Sequence, residues 1–140
     1  MRAWVNGRLL DDPSGPAVSV TDHGFTVGDG VFESVKILHG APFALTRHLE
    51  RLRRSVEGLG LPPVDEEAIH AGVAAVLAGQ ELPLGRLRIT YTGGHAPLGS
   101  GRGDDSTTLV VVADAMQPWP AATSVITAPW PRNERGRRRA

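Results

Sequence analysis

Three groups of residues in this chain have side chains and spacing suited to chemistry. Arg51 sits in H-L-E-R-L-R-R-S, flanked by Arg47 and Arg54. A guanidinium fork there could grip a phosphate or carboxylate with two parallel charge-assisted bonds. As a bare pattern it equally describes the solvated basic flank of a helix. The segment D-H-G-F-T-V-G-D-G-V-F-E, from Asp22 to Glu33, places Gly24, Gly28 and Gly30 around Asp29. That reads as a tight turn in which glycine supplies positive φ and Asp29 caps backbone N–H groups. Arg86 and Arg88 alternate with Leu87 and Ile89 and so share one face of a strand. Lys36 is the single lysine among the 15 basic residues, and its strand setting reads as solvent-facing.

Other combinations lead nowhere. The histidines at 23, 39, 48, 70 and 95 lack the paired spacing of a metal site, so no metal is expected. With no cysteine, disulfides and thiolate centres are excluded. G-S-G-R-G, from Gly99 to Gly103, neither follows a strand nor opens a helix, as a dinucleotide fingerprint must. The tail from Arg135 to Ala140 carries four arginines without aromatics, a poor nucleic-acid signal. Fifteen acidic residues balance the fifteen basic ones, which argues against a nucleic-acid or membrane-surface partner. Apolar runs such as Leu109 to Ala113 are far too short to span a bilayer, and the start M-R-A-W-V-N-G has no apolar signal core. A cytoplasmic location is the expectation.

The elements that must position these residues are legible in outline. Asn6-Gly7 between short apolar runs predicts a type I′ hairpin. Short strands are expected at Ala17–Val20 and Ser124–Ala128, and longer ones at Val31–Leu38, Arg86–Thr92 and Thr107–Val112. Leu45, Leu49, Leu52, Val56 and Leu59 form one helical stripe, with Thr46 as the expected N-cap and Gly58, Gly60 and Pro62-Pro63 as the stop. A second helix runs from Asp65, at an acid-rich start, to Gly79. Gly93–Asp105 is a glycine-rich loop long enough to be mobile or functional. Strands, two helices, then strands predict an α+β domain: a mainly antiparallel twisted sheet with two packed helices.

G-D-G-V-F-E followed by H-L-E-R-L resembles the front part of class IV aminotransferases, the fold-type IV pyridoxal 5′-phosphate (PLP) enzymes that include branched-chain and D-amino-acid aminotransferases and aminodeoxychorismate lyase. The resemblance covers residues 1–134, as an N-terminal domain, and leaves 135–140 as an aberrant arginine-rich tail. It implies PLP as cofactor, Arg51 as its phosphate ligand, and Phe32 and Arg88 as substrate-pocket residues. Glu33 is shared with many members without an assigned step. The implied substrate is a small amino acid or an aminodeoxychorismate-type molecule, and the implied assembly is a homodimer. Leu98 and Ser100 stand where D-amino-acid aminotransferases place an arginine and a histidine, so the pattern leans toward the lyase or a general member. The family's Schiff-base lysine would follow a segment like Pro131-Arg132-Asn133, and Lys36 is not on that element. No catalytic residue is therefore assigned, and a truncated chain, inactive alone, is expected. The alternative is a non-catalytic α+β module for dimerisation or regulation.

Overall fold

The computed structural model describes residues 1–103 and 106–129. Its core is one six-stranded antiparallel sheet in the order β2-β1-β6-β5-β3-β4. The strands are β1 (Arg2–Val5), β2 (Arg8–Leu9), β3 (Gly30–Leu38), β4 (Ala41–Pro42), β5 (Leu84–Thr92) and β6 (Thr108–Ala115). A short helix α1 (His23–Thr26) precedes β3, while α2 (Leu45–Leu59) and α3 (Glu66–Leu77) lie between β4 and β5. The α+β architecture and both long helices match the sequence reading.

Alternation decides the faces. In β3, Glu33, Val35 and Ile37 are buried, whereas Phe32, Ser34, Lys36 and Leu38 are exposed. β5 repeats the pattern, with Leu87, Ile89 and Tyr91 inward and Arg86 and Arg88 outward. The register pairs Phe32 with Thr90, Ser34 with Arg88 and Lys36 with Arg86, so these residues share one open face of the sheet. On the other face α2 lies over β3, and α3 over β6 and β1. Leu49, Leu52 and Val56 of α2 and Ile69, Val73 and Val76 of α3 meet Ile37, Leu87, Ile89 and Val111 in a single core.

Local signals explain most boundaries. Asn6 and Gly7 adopt φ values of 44° and 93°, and the hairpin forms there as expected. Gly60, at φ 62°, ends α2 in the left-handed conformation, and its N–H donates to the Glu57 carbonyl. The Asp65 side chain accepts from the N–H groups of Glu67 and Ala68 and caps α3. Gly72 of α3 is a contact glycine: a Cβ there would lie 2.9 Å from both the Trp4 ring and Val111 Cγ2.

Three expectations fail. Thr46 does not cap α2, because the helix starts at Leu45 behind Ala44, which sits at φ 54° with no side-chain cap. Ala17–Val20 is not a strand. Ser19 Oγ accepts the Thr21 N–H at 3.2 Å, a side-chain turn that competes with extension, and Val20 is left exposed. Ser124–Ala128 is not a strand either, for Val125 and Ile126 are 86% and 96% exposed and no neighbour pairs with them. An apolar run becomes a strand only where the fold brings it alongside an edge it can pair with, whatever its β propensity.

Candidate phosphate-anchoring site

The sharpest polar feature grows from the alternation of β3. A carboxylate falls in the inward register at Glu33, among Val31, Val35 and Ile37, and is only 3% exposed. Burying a charge there is unfavourable unless partners meet it. α2 supplies two from adjacent turns, since residues three apart on a helix lie side by side. Arg51 Nε donates to Glu33 Oε1 at 2.6 Å, and Arg51 Nη2 donates to Glu33 Oε2. His48 Nδ1 lies 2.8 Å from Glu33 Oε2. Burial pushes the Glu33 carboxyl up, but the hydrogen bonds and charges of Arg51 and His48 outweigh it and hold the group below the ordinary glutamate value. Glu33 in turn raises the affinity of the Arg51 guanidinium for its proton.

The result is an arginine fixed from behind and open in front. The Arg51 side chain is 60% exposed while its acid partner is 4% exposed. Nε and Nη2 are committed to Glu33, and no described residue bonds Nη1. Such a guanidinium can present its remaining donors to an incoming anion without losing its anchor. Two clefts, of about 550 and 540 Å³, occur elsewhere, and Arg51 lines neither.

Phe32 and Arg88 come together on the opposite face of the sheet. The Arg88 guanidinium stacks 3.7 Å above the Phe32 ring, and its Nε donates to Thr90 Oγ1 at 3.4 Å. Arg51 is not beside them. Between the two sites lies the outer edge of β3, where β4 pairs only with Ile37 and Leu38. Lys36 lies on the open face, not on the face of Glu33 and Arg51. Among the described residues, no cluster of three or more His, Asp or Glu groups could hold a metal.

The turn before β3 is built differently from the sequence reading. Asp29 accepts from Arg102 through two bonds, Nε to Oδ2 at 2.7 Å and Nη2 to Oδ1 at 2.8 Å. Arg102 also donates to the carbonyl of Leu59 at 2.7 Å and to that of Gly60. The glycine-rich loop is thereby tied to both the turn and the C-terminus of α2. Only Gly28 among the three turn glycines has positive φ, at 71°. Gly24 is needed for space, since a Cβ there would lie 2.4 Å from Thr92 Cγ2. Asp22, 1% exposed, accepts from the Gly24 N–H at 2.8 Å and from Thr92 Oγ1 at 3.0 Å.

Glu33 and His48 carried no assigned role in the sequence reading. A usable signal existed for Glu33: a carboxylate in the apolar register of V-F-E-S-V-K-I-L must find a cation. Arg102 carried no comparable signal. Residues 130–140, including the arginine-rich tail, lie outside the described residues.

Comparison with known proteins places this geometry. The model of the class IV amino-transferase family matches residues 30–139. A putative branched-chain-amino-acid aminotransferase of Methanocaldococcus jannaschii is 36% identical over 101 residues, 71% of this chain and 34% of that protein. Aminodeoxychorismate lyase of Bacillus subtilis is 43% identical over 56 residues, 40% of this chain and 19% of that protein. A hypothetical aminotransferase from Mycobacterium tuberculosis, solved in its PLP-bound form, superposes with a TM-score of 0.71 at 25% identity, covering 82% of this chain and 39% of that one. The chain thus spans a third or less of the length of these curated relatives. With the match running through β3, the arginine-bearing helix α2 and the long strands behind them, this chain belongs to the class IV aminotransferase family.

Proposed function

We propose that this chain supplies the phosphate-anchoring and substrate-facing part of a PLP site in a class IV aminotransferase or aminodeoxychorismate lyase-like enzyme. The carrying observation is Arg51, held by buried Glu33 and His48 with one edge of its guanidinium free. The residues fit the anionic end of the cofactor. PLP, when bound, supplies an electron sink for chemistry at the substrate's α-carbon. Arg51 binds the phosphate, Glu33 and His48 fix its direction, and the Phe32–Arg88 pair on the far side of β3 offers an aromatic wall and a cation for a substrate carboxylate. Lys36 is separated from Arg51 by the sheet and is not assigned the cofactor's amine partner.

The relatives named above support both reactions, transamination and lyase chemistry, and the choice between them belongs to the whole enzyme. A homodimer fits the apolar surface around α1, where Val20 and Phe25 are 79% and 78% exposed. A cytoplasmic location fits a chain without cysteine.

Equilibrium binding of PLP, with pyridoxal as the phosphate-free control, tests the reading. PLP should bind more tightly than pyridoxal, and Arg51→Ala should weaken PLP binding about tenfold or more while leaving pyridoxal unaffected. Equal binding of the two compounds, or no effect of Arg51→Ala, would remove the assignment. After borohydride reduction in the presence of PLP the mass should be unchanged. A stoichiometric adduct at Lys36 would count against the assignment of that residue.

A further inference from the structure

The helix-covered side of the molecule has a cleft of its own, of about 540 Å³, between the β1–β2 turn and the start of α3. Trp4, Tyr91 and Leu109 supply its apolar floor. The Tyr91 hydroxyl is already engaged, donating to the carbonyls of Pro62 and Pro63 at 3.2 and 3.4 Å. Ala68 and Ala71 are neighbours on one face of α3, and their small side chains leave the space open. Arg51 lies on α2, over β3, and Phe32 and Arg88 lie on the opposite face of the sheet, so none of them borders this cleft.

Asp65 is the only charged side chain lining the cleft among the described residues. Its Oδ1 caps α3, accepting from the N–H groups of Glu67 and Ala68 at 2.9 and 3.2 Å. No described residue bonds its Oδ2, so one carboxylate oxygen remains available. A carboxylate beside an aromatic and aliphatic floor selects a cation. A metal ion or a primary ammonium is strongly hydrated and would have to shed that water against apolar walls. A quaternary ammonium instead presents methyl groups to such walls, and tryptophan and tyrosine rings attract its diffuse charge. The volume suits a small organic molecule.

We propose that this cleft binds a free quaternary ammonium compound of the choline type, with its methyl groups against Trp4, Tyr91 and Leu109 and its charge beside Asp65. The site shares no residue with the phosphate anchor, and it stands whether or not the chain binds PLP.

Titration of the isotope-labelled chain followed by amide and indole NMR tests this, with choline as probe. Dimethylbutanol, the carbon analogue of choline, keeps the shape without the charge, and ethanolamine keeps the charge without the methyl groups. Choline should give saturable shifts at Trp4, Asp65 and Ala68 at concentrations where neither control does. Asp65→Asn retains a capping oxygen for α3, so the melting temperature should hold while the choline Kd rises about tenfold or more. Ala71→Leu, at an exposed position, should fill the cleft and abolish the shifts. Phosphatidylcholine vesicles, which carry the same cation on a lipid surface, should not co-sediment the chain. Absence of saturable shifts, an equal response to either control, a Kd unchanged by Asp65→Asn or by Ala71→Leu, or capture by the vesicles would each overturn the proposal.

Discussion

Glu33 owes its ionised state to two partners, so its contribution to stability must depend on pH. Its folded-state pKa is held below the ordinary value, and a depressed carboxyl stabilises the fold above its unfolded pKa. That stability is lost as pH falls through the folded value. At neutral pH Glu33→Gln should therefore cost about 1–3 kcal/mol, the range for losing hydrogen bonds to a charged group at a buried site. Below about pH 4, near the ordinary glutamate pKa, the gap between the two proteins should begin to close. Urea unfolding at a series of pH values measures it. A gap constant from pH 7 down to pH 3 would mean that the ion pair contributes nothing. Phe32 and Arg88, by contrast, form an exposed stacked pair, and substitution there should alter recognition more than stability.

The two long helices start by different means, and substitution can tell them apart. α3 begins on the Asp65 carboxylate, which accepts two backbone N–H groups, so Asp65→Ala should cost about 1 kcal/mol. α2 begins on a backbone turn, and Thr46→Ala should leave stability essentially unchanged. Thermal unfolding of both variants decides this; equal losses would contradict the caps described. Gly72 offers a second contrast. Alanine gains about 1 kcal/mol over glycine in a helix interior, but overpacking costs about 1–3 kcal/mol. The neighbours here are a buried indole and a fully buried valine, neither free to move away. Gly72→Ala should therefore destabilise the protein on balance, and a raised melting temperature would show that α3 shifts to make room.

Periodicity made this level legible. Leu87, Ile89 and Tyr91, and the stripe from Leu45 to Leu59, each report a face through local spacing, and the structure uses those faces. The pairings of Arg51 with Glu33 and of Arg102 with Asp29 join residues 18 and 73 positions apart, and only the folded topology sets which groups meet. The same reason explains the failed strand at Ser124–Ala128. Its apolar residues resemble a strand locally, but whether the chain brings them alongside a sheet edge is a property of the whole fold.

At the scale of the molecule, unequal covering of the surface stands out. One sheet face is packed by two helices, whereas the apolar side chains of Val20, Phe25 and Val27 lie exposed around α1. Large exposed apolar groups gathered in a short segment favour association. The purified chain should show concentration-dependent self-association in sedimentation velocity, and Phe25→Ser should weaken it without lowering the melting temperature. A strictly monomeric chain at high concentration would count against a homodimer built on this surface.

The alternating register of β3 has a consequence for how such a chain can diversify. Positions 33, 35 and 37 hold the scaffold and the anchored arginine, while 32, 34 and 36 look outward and are not part of the core. Outward positions can therefore be exchanged in combination while the inward ones stay fixed. A library randomised at Phe32, Ser34 and Lys36 should remain largely foldable, whereas one randomised at Glu33, Val35 and Ile37 should collapse to a few survivors. Within one strand, what is recognised and what is held are inherited separately, one residue out of phase.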